Sequence, residues 1–306
     1  MLSAPQVAII IISHNTRDLL LDCLASVIES TQARQVECVV VDNASTDGSA
    51  DAALAACPQV TVIRNAENRG FAAACNQAIR QTHAPMILLL NSDARLNAEA
   101  FDALTSCLLE HERCAAAGCR VVNDQGVAYS ARNFLTPFNQ ALELLSVKLG
   151  RRWRRTHHLQ LDRRGVDCSV DWLEGACLML RRKAMDEAGV FDEAFFMYSE
   201  DEDLCFRLRQ RGWTVCFSAQ AEVWHRGGAS SAHNAGEMLV HFYASQMRFL
   251  LKHRGRASAA LYRFVMRVTL ALKLCLRPRR AGGEMSERLR ALRQAAALVR
   301  ATHQSE

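Results

Sequence analysis

The 306-residue sequence predicts an α/β fold on a mainly parallel central sheet. Three observations lead there. Val7–Ile12 (VAIIII), Val36–Val41 (VECVVV) and Met86–Leu90 (MILLL) are unbroken apolar runs of strand length, the mark of strands covered on both faces. Segments with helical spacing separate them, so the runs can pair only through crossovers. Each run ends in a dense polar cluster: Ser13–Thr16, Asp42–Ser49 and Asn91–Asp93. In sheets of this kind, ligands sit beyond the carboxyl ends of the strands.

The elements follow in order. After the first strand, Leu19–Ile28 has helical periodicity. The cluster after Val41 is rich in turn and capping residues and leads into a helix near Ala50–Ala56. Val60–Arg64 reads as a third strand and Gly70–Gln81 as a helix rich in small residues. Beyond Asp93, a helix over Ala98–Glu110 precedes a strand near Ala115–Val122. Residues 124–170 carry the basic run Arg151–Arg155 and read as a loop or lid. Val170–Arg181 is strand-like but interrupted at Gly175-Ala176; Glu200–Arg211 is a helix opening on four acids; Trp213–Phe217 is a short strand; and Val223–Gly228 leads into a loop. From Ala235 the chain is helical and increasingly basic. The expected division is a domain over 1–234, with halves 1–97 and 98–234, followed by a basic helical extension over 235–306.

Half of the residues are hydrophobic and 23% are charged, which excludes a disordered chain. The net charge of +5 is uneven: residues 1–244 carry −6 and residues 245–306 carry +11. A basic tail on an acidic body suits a polyanionic partner or a solvated helical appendage. It has few aromatic residues for stacking on bases, so nucleic acid is not expected. No uninterrupted apolar run reaches 18 residues. Over Leu261–Leu276, the cations Arg263, Arg267 and Lys273 lie opposite Leu261, Val265, Val268, Leu272 and Cys275, the pattern of a helix lying on a membrane surface. The twelve cysteines include no C-x-x-C, and no histidine stands at zinc spacing beside the closest pair, Cys114 and Cys119, so they read as small buried hydrophobes. The N-terminus has no basic leader ahead of its first strand, and the expected compartment is the reducing cytoplasm.

Four clusters carry candidate chemistry. A carboxylate at the end of the second strand, Asp42, can accept hydrogen bonds from a base or ribose, while Asp47 and Ser45 can cap the next helix. Asn91-Ser92-Asp93 offers a hard oxygen ligand for Mg²⁺ or Mn²⁺, or a strand-to-helix cap. Glu200-Asp201-Glu202-Asp203 places four like charges in a row; a helix N-terminus accommodates some, and one projecting carboxylate would serve as a general base. Trp224-His225-Arg226-Gly227-Gly228 adds an imidazole for a borderline cation and a guanidinium for phosphate.

Together these segments resemble the family 2 glycosyltransferases of GT-A fold, particularly their rhamnosyltransferase-like branch in bacterial cell-surface polysaccharide synthesis. VAIIIISHN (7–15), VVVDNASTDGS (39–49), NAENRGFAAACN (65–76), LLLNSD (88–93), WLEGACLMLRR (172–182), FDEAFFMYSEDEDLCFRLRQRG (191–212) and VWHRGGAS (223–230) occur in the order of that family and cover residues 5 to about 230. The resemblance implies an inverting transfer of a sugar, rhamnose by analogy with the branch. The donor would be a dTDP-, UDP- or GDP-sugar and the acceptor a saccharide or lipid-linked saccharide, at the cytoplasmic face of a membrane. It implies that Ser13, Asn15, Asp42, Arg69, Gly70, Phe71, Asn76 and Ser92 hold the donor nucleotide, and that Asp93 and His225 serve a divalent cation, Mg²⁺ or Mn²⁺. Trp172, Glu174, Gly175, Ala176 and Glu200 would shape the sugar and acceptor pocket, and Asp201 would be the base. The metal element has one carboxylate, Asp93, where a D-x-D would have two. The basic tail would dock on anionic lipid, and Arg151–Arg155 is either an acceptor-diphosphate contact or a solvated loop. Two rivals fare worse. A nucleotidyltransferase needs a glycine-rich loop after its first strand, where this chain has Ser13–Arg17, and a non-catalytic binding protein has no need of Asp93, Asp201 and His225 together.

Overall fold

The computed structural model describes residues 5–32, 34–124, 126–128, 131–139, 168–228, 235–276 and 278–304. The Arg151–Arg155 run and most of the 124–170 segment lie outside these residues. Two compact units are present. The first comprises the described residues up to 132 together with 168–194 and 201–228; the second comprises 133–139, 195–200 and the C-terminal helices.

The first unit opens with β1 (Val7–Ser13), α1 (Arg17–Ser30), β2 (Val36–Asp42), α2 (Ser49–Ala56), β3 (Thr61–Arg64), α3 (Phe71–Gln81) and β4 (Met86–Asn91). These strands lie side by side as β3-β2-β1-β4, all parallel. Ile9, Ile11, Val40, Leu88 and Leu90 share a buried cluster with Leu20 and Leu24 of α1, and α3 also packs on β1 and β2. Both faces are therefore covered, which is why the strands are apolar throughout. The register pairs Ser13 with Asp42 and Ile12 with Asn91, so the three polar clusters end on one line.

The chain continues through β5 (Ala94–Arg95), α4 (Ala98–Glu110), β6 (Cys114–Asn123), β7 (Gly126–Ala128), β8 (Ala131–Arg132), β9 (Cys168–Ser169), β10 (Trp172–Leu173), β11 (Cys177–Arg181), α5 (Arg182–Ala188), α6 (Glu200–Gln210) and β12 (Thr214–His225). α4 starts where expected because the Asn97 side chain accepts the Ala100 N–H at 2.7 Å and caps it. The sheet continues β4-β11-β6-β12-β5. β11 runs antiparallel to both neighbours, so the parallel character is confined to the first four strands and to the β6–β12 pair.

β12 is longer than the predicted Trp213–Phe217. The polar Ser218-Ala219-Gln220 breaks the hydrophobic pattern, but the pairing with β6 absorbs it in a register shift between Ser218 and Glu222 and resumes through Trp224. The strand thereby brings His225 to β5, where it pairs with Ala94.

In the second unit, α7 (Ala235–Leu276) is a helical run broken at Gly255, whose φ of 81° a side chain would strain, and α8 (Pro278–Gln304) packs back on it. Tyr243, Phe249, Tyr262, Met266, Leu270, Leu292 and Ala295 are buried there. Phe134 stacks on Phe249, and the Ser245 hydroxyl donates to the Met197 carbonyl at 2.8 Å, tying the short segments to α7.

Candidate active site

The loop after β1 and the loop after β2 lock together at the sheet edge. The Asn15 side-chain oxygen accepts the Thr46 N–H at 2.8 Å, the Asn15 N–H donates to Ser45 Oγ at 2.9 Å, and the Arg17 N–H donates to Asp47 Oδ2 at 2.8 Å. Asn15 and Ala44 hold φ of 53° and 66°. Asn tolerates that region, whereas Ala does so at a cost of about 1 kcal/mol, strain of the kind that gathers at functional sites. The Ser13, Thr16 and Ser92 hydroxyls form a buried chain, 3.0 Å and 2.8 Å apart, that joins the end of β1 to the segment after β4. Asp42 is buried beside them, and its Oδ1 has no hydrogen-bond partner. A buried acceptor left in this way costs roughly 1–3 kcal/mol, which a donor N–H or O–H from a ligand would recover.

Asn43 organises the next loop. Its side chain donates to Asn68 Oδ1 and to the Gly70 carbonyl and accepts the Asn65 side-chain amide and the Arg69 N–H, all at 2.8–3.2 Å. Gly70 stands at φ 79°, ψ 173° immediately before α3, a conformation open to glycine. Arg69 is exposed beside it.

At the end of β4, Asp93 Oδ1 lies 2.9 Å from His225 Nε2, and Asn91 Nδ2 lies 3.2 Å from the same nitrogen. The Arg226 N–H donates to the Asp93 carbonyl, which fixes the two segments together. A hard carboxylate oxygen and an imidazole nitrogen suit Mn²⁺ or Mg²⁺. Their separation matches the roughly 3 Å between neighbouring ligands of an octahedral ion at about 2.1 Å. The residues present therefore fit a divalent cation, with two protein donors and the remaining positions open to phosphate and water.

Asp201 sits in the first turn of α6. Its Oδ2 accepts the Gly175 N–H at 2.9 Å and its Oδ1 the Glu202 N–H at 2.8 Å. Burial and the nearby Glu174 carboxylate push it up to about 6, while the two N–H donors and the Arg132 guanidinium restrain the rise. Glu174 pairs with Arg132 at 2.6 Å, and that guanidinium lies over the Trp172 ring. A Cβ on Gly175 would stand 3.8 Å from both Asp201 Oδ2 and the Phe71 ring, which places carboxylate and aromatic edge around one backbone position. The Asn91 N–H donates to the Ala176 carbonyl. The route from Asp201 through Gly175-Ala176 to Asn91, His225 and Asp93 is thus one short chain of hydrogen bonds.

The predicted residues do not all converge. Asn76 is buried in α3 with its amide spent on the Phe191 backbone and Glu193, so its placement is that of a tie between α3 and the 191–193 turn rather than a nucleotide contact. Glu200 is buried at the head of α6 and groups with the second unit. Of the other acids in that run, Asp203 is structural: it holds Arg207, which in turn caps the carbonyls of Ala188, Gly189 and Val190. Thr16, Asn43 and Arg132 were missed. Asn43 stood beside Asp42 in a dense cluster, but its partners lie 22–27 residues away.

A nucleotide-type α/β sheet whose strands end in polar clusters, with a carboxylate–imidazole pair at one of those ends, has the architecture of the GT-A glycosyltransferases. The profile described as Glycosyltransferase like family 2 matches residues 5–247, and the chain belongs to that family. N-acetylglucosaminyl-diphospho-decaprenol L-rhamnosyltransferase of Mycobacterium tuberculosis is 31% identical over 267 residues, covering 82% of this chain and 85% of that protein. The succinoglycan biosynthesis protein ExoU of Rhizobium meliloti is 42% identical over a shorter stretch, 28% of this chain and 26% of its own. Among solved structures, the mannosyltransferase PcManGT of Pyrobaculum calidifontis in complex with GDP-Man and Mn²⁺ superposes with a TM-score of 0.57 at 14% identity, over 97% of this chain and 88% of its own. GalNAc-T7 with UDP, GalNAc and Mn²⁺ gives 0.58 at 15% identity, over 82% of this chain and 48% of its own. At these identities the structures speak for the fold.

Proposed function

We propose that the protein is an inverting glycosyltransferase that moves a sugar, rhamnose by analogy with its relative, from a nucleoside-diphosphate donor to a hydroxyl of a lipid-linked saccharide in cell-envelope polysaccharide synthesis. The observation that carries this reading is the hydrogen-bonded route from Asp201 to the Asp93–His225 pair. It supports a reading in which one general base stands beside one diphosphate-binding pair, with no second carboxylate needed as nucleophile.

Each residue then has a task. Asp42, with its unpartnered Oδ1, accepts from the nucleobase or ribose, and Ser13, Asn15 and Ser92 shape that pocket. Arg69, Gly70 and Phe71 border it through the Asn43 hub. Asp93 and His225 would hold the cation. The chemistry it supplies when bound is neutralisation of the leaving diphosphate. Asp201 takes the proton of the acceptor hydroxyl as that oxygen attacks the anomeric carbon from the face opposite the diphosphate, and the configuration inverts. A base near 6 is ionised at neutral pH yet basic enough to accept a proton. Trp172, Glu174, Gly175 and Ala176 line the acceptor side. Glu174 is the acid most able to exchange its Arg132 partner for a sugar hydroxyl, both being part-exposed.

Membrane docking is part of the same reading. Among the described residues no helix is long and apolar enough to cross a bilayer. On α7, however, Leu261, Phe264, Val268 and Leu272 are exposed at helical spacing, with Phe264 65% exposed, and Arg267 is exposed next to them. This stripe is sharper than the sequence expectation: Phe264 joins it and Val265 turns partly inward. An apolar stripe flanked by cations supports docking on anionic lipid.

The test is a panel of dTDP-, UDP- and GDP-sugars, each with Mn²⁺, Mg²⁺ or EDTA, followed by transfer to a polyprenyl-diphosphate saccharide and assignment of the product anomer. Metal-dependent use of one donor with inverted product is expected. A retained anomer would overturn the single-displacement role of Asp201.

A further inference from the structure

The fold gathers three cysteines that are far apart in sequence. Cys107 lies in the last turn of α4, Cys114 begins β6, and Cys216 is the third residue of β12. All three are buried, and their sulfurs lie within 4.8 Å of one another. Among the described residues this is the one group of three histidine, cysteine or acidic side chains whose ligand atoms so converge. Cysteines that merely fill a core turn their sulfurs towards carbon. These three bring them together, with Cys114 Sγ also donating to the Ala116 carbonyl at 3.3 Å and Cys216 Sγ lying 3.7 Å from Thr214 Oγ1.

The surroundings are those of a site rather than a void. Cys216 is the least enclosed of the three, though all are buried. His111 stands on the short connection from α4 to β6. Its Nδ1 lies 3.1 Å from the Cys107 carbonyl, the second-sphere contact that leaves Nε2 as the ligating atom in histidine metal sites. Arg181 fastens the connection: Nε donates to the Cys114 carbonyl at 2.8 Å, and the guanidinium also bonds the His111 and Leu108 carbonyls. One Zn²⁺, three thiolates and one guanidinium sum to zero charge.

We propose that Cys107, Cys114 and Cys216 form a thiolate site for a borderline divalent cation, Zn²⁺ above all, with His111 swinging in as the fourth ligand. Tetrahedral Zn²⁺ with bonds of about 2.3 Å sets sulfurs about 3.8 Å apart, so the present trio needs to contract by at most about 1 Å. Binding expels the thiol protons still present, and affinity rises with pH. The soft sulfur set separates this site from Asp93–His225, whose oxygen and nitrogen donors suit Mn²⁺ or Mg²⁺. It lies at the opposite end of β12, nine residues and at most about 30 Å of strand from His225.

The test uses the full-length protein, stripped of metal under reducing conditions and titrated with Co²⁺ and then Zn²⁺. One equivalent of Co²⁺ is expected to give a thiolate-to-metal charge-transfer band, which Zn²⁺ removes. Cys114→Ser and Cys216→Ser should abolish the band. His111→Ala should weaken binding about tenfold, and Asp93→Ala should leave the band intact. In unmodified protein, where no variant can misfold, Zn²⁺ should protect these three cysteines from alkylation and raise Tm. Absence of the band, or alkylation of the trio at the same rate with and without Zn²⁺, overturns the proposal.

Discussion

The two ends of the β6–β12 pair are built on opposite terms. At the Trp224–His225 end, the part-exposed Asn91 and His225 and the buried Asp93 share hydrogen bonds that a ligand could replace. At the Cys114–Cys216 end, the same strands carry thiols sealed beneath α4. One end is held by contacts a substrate can take over; the other is held by packing and, on our proposal, by a metal that never leaves. A pair of strands anchored at one end can present chemistry at the other without moving, so mutations at the two ends should separate cleanly into loss of turnover and loss of stability.

The largest expected effect is at Asp201. Asp201→Asn keeps the shape but only one of the two N–H contacts, because the amide nitrogen cannot accept the other, and it removes the base; kcat should fall by about 10²–10⁴. The same variant should be more stable than the parent at pH 8. The folded-state value of Asp201, about 6, exceeds the unfolded one of 3.8. The carboxyl therefore favours the fold below pH 4, and that contribution is lost as pH rises through 6. Because Asp201 is part-exposed, the expected gain is about 1–2 kcal/mol at pH 8, read as a urea midpoint, and nil at pH 4. Lower stability at pH 8 would mean that its contacts matter more than its desolvation.

Next come Asp93→Ala and His225→Ala, each expected to lower kcat by about 10²–10³ and to blunt the response to Mn²⁺, with little change in Tm. Cys216→Ser should do the reverse, keeping kcat while lowering Tm. An equal loss of kcat in Cys216→Ser would join the two ends and break the comparison.

The strands of the first half were legible because a doubly covered strand is apolar at every position: Val7–Ile12 and Met86–Leu90 announce themselves. Ser13, Asp42 and Asn91 were legible as strand ends. β12 was not, because its Ser218-Ala219-Gln220 break reads as a loop until the partner strand is known. Asn43, Arg132 and the cysteine trio were hidden for the same reason. Cys107 and Cys216 are separated by more than a hundred residues and carry no local spacing, so only the packing of α4 on β6 and β12 unites them. Asn76 misled in the opposite direction: it lies within a family motif, yet its amide serves the 191–193 turn.

A smaller effect is expected on α7. Phe264→Glu with Leu272→Glu removes two exposed apolar groups and adds two negative charges, and should lower partition into anionic vesicles by at least tenfold. Transfer to a soluble acceptor analogue should be unchanged. Unaltered vesicle binding would assign the basic tail to solvent.

The smallest effect is the most diagnostic of the catalytic end. Glu174 raises Asp201 and Arg132 lowers it, each acting through charge. In the parent protein, kcat should decline below pH 6 as the base is protonated. Glu174→Gln removes the repelling carboxylate, so the acid limb should move to lower pH, by less than one unit given the part-exposed pair. Arg132→Gln removes the restraining cation, and the limb should move to higher pH. A residue that only shaped the pocket would change the height of the profile and leave its limb in place. Opposite displacement of the limb in the two variants therefore distinguishes tuning of the base from packing around it, and equal limbs in both would mean that burial alone sets the basicity of Asp201.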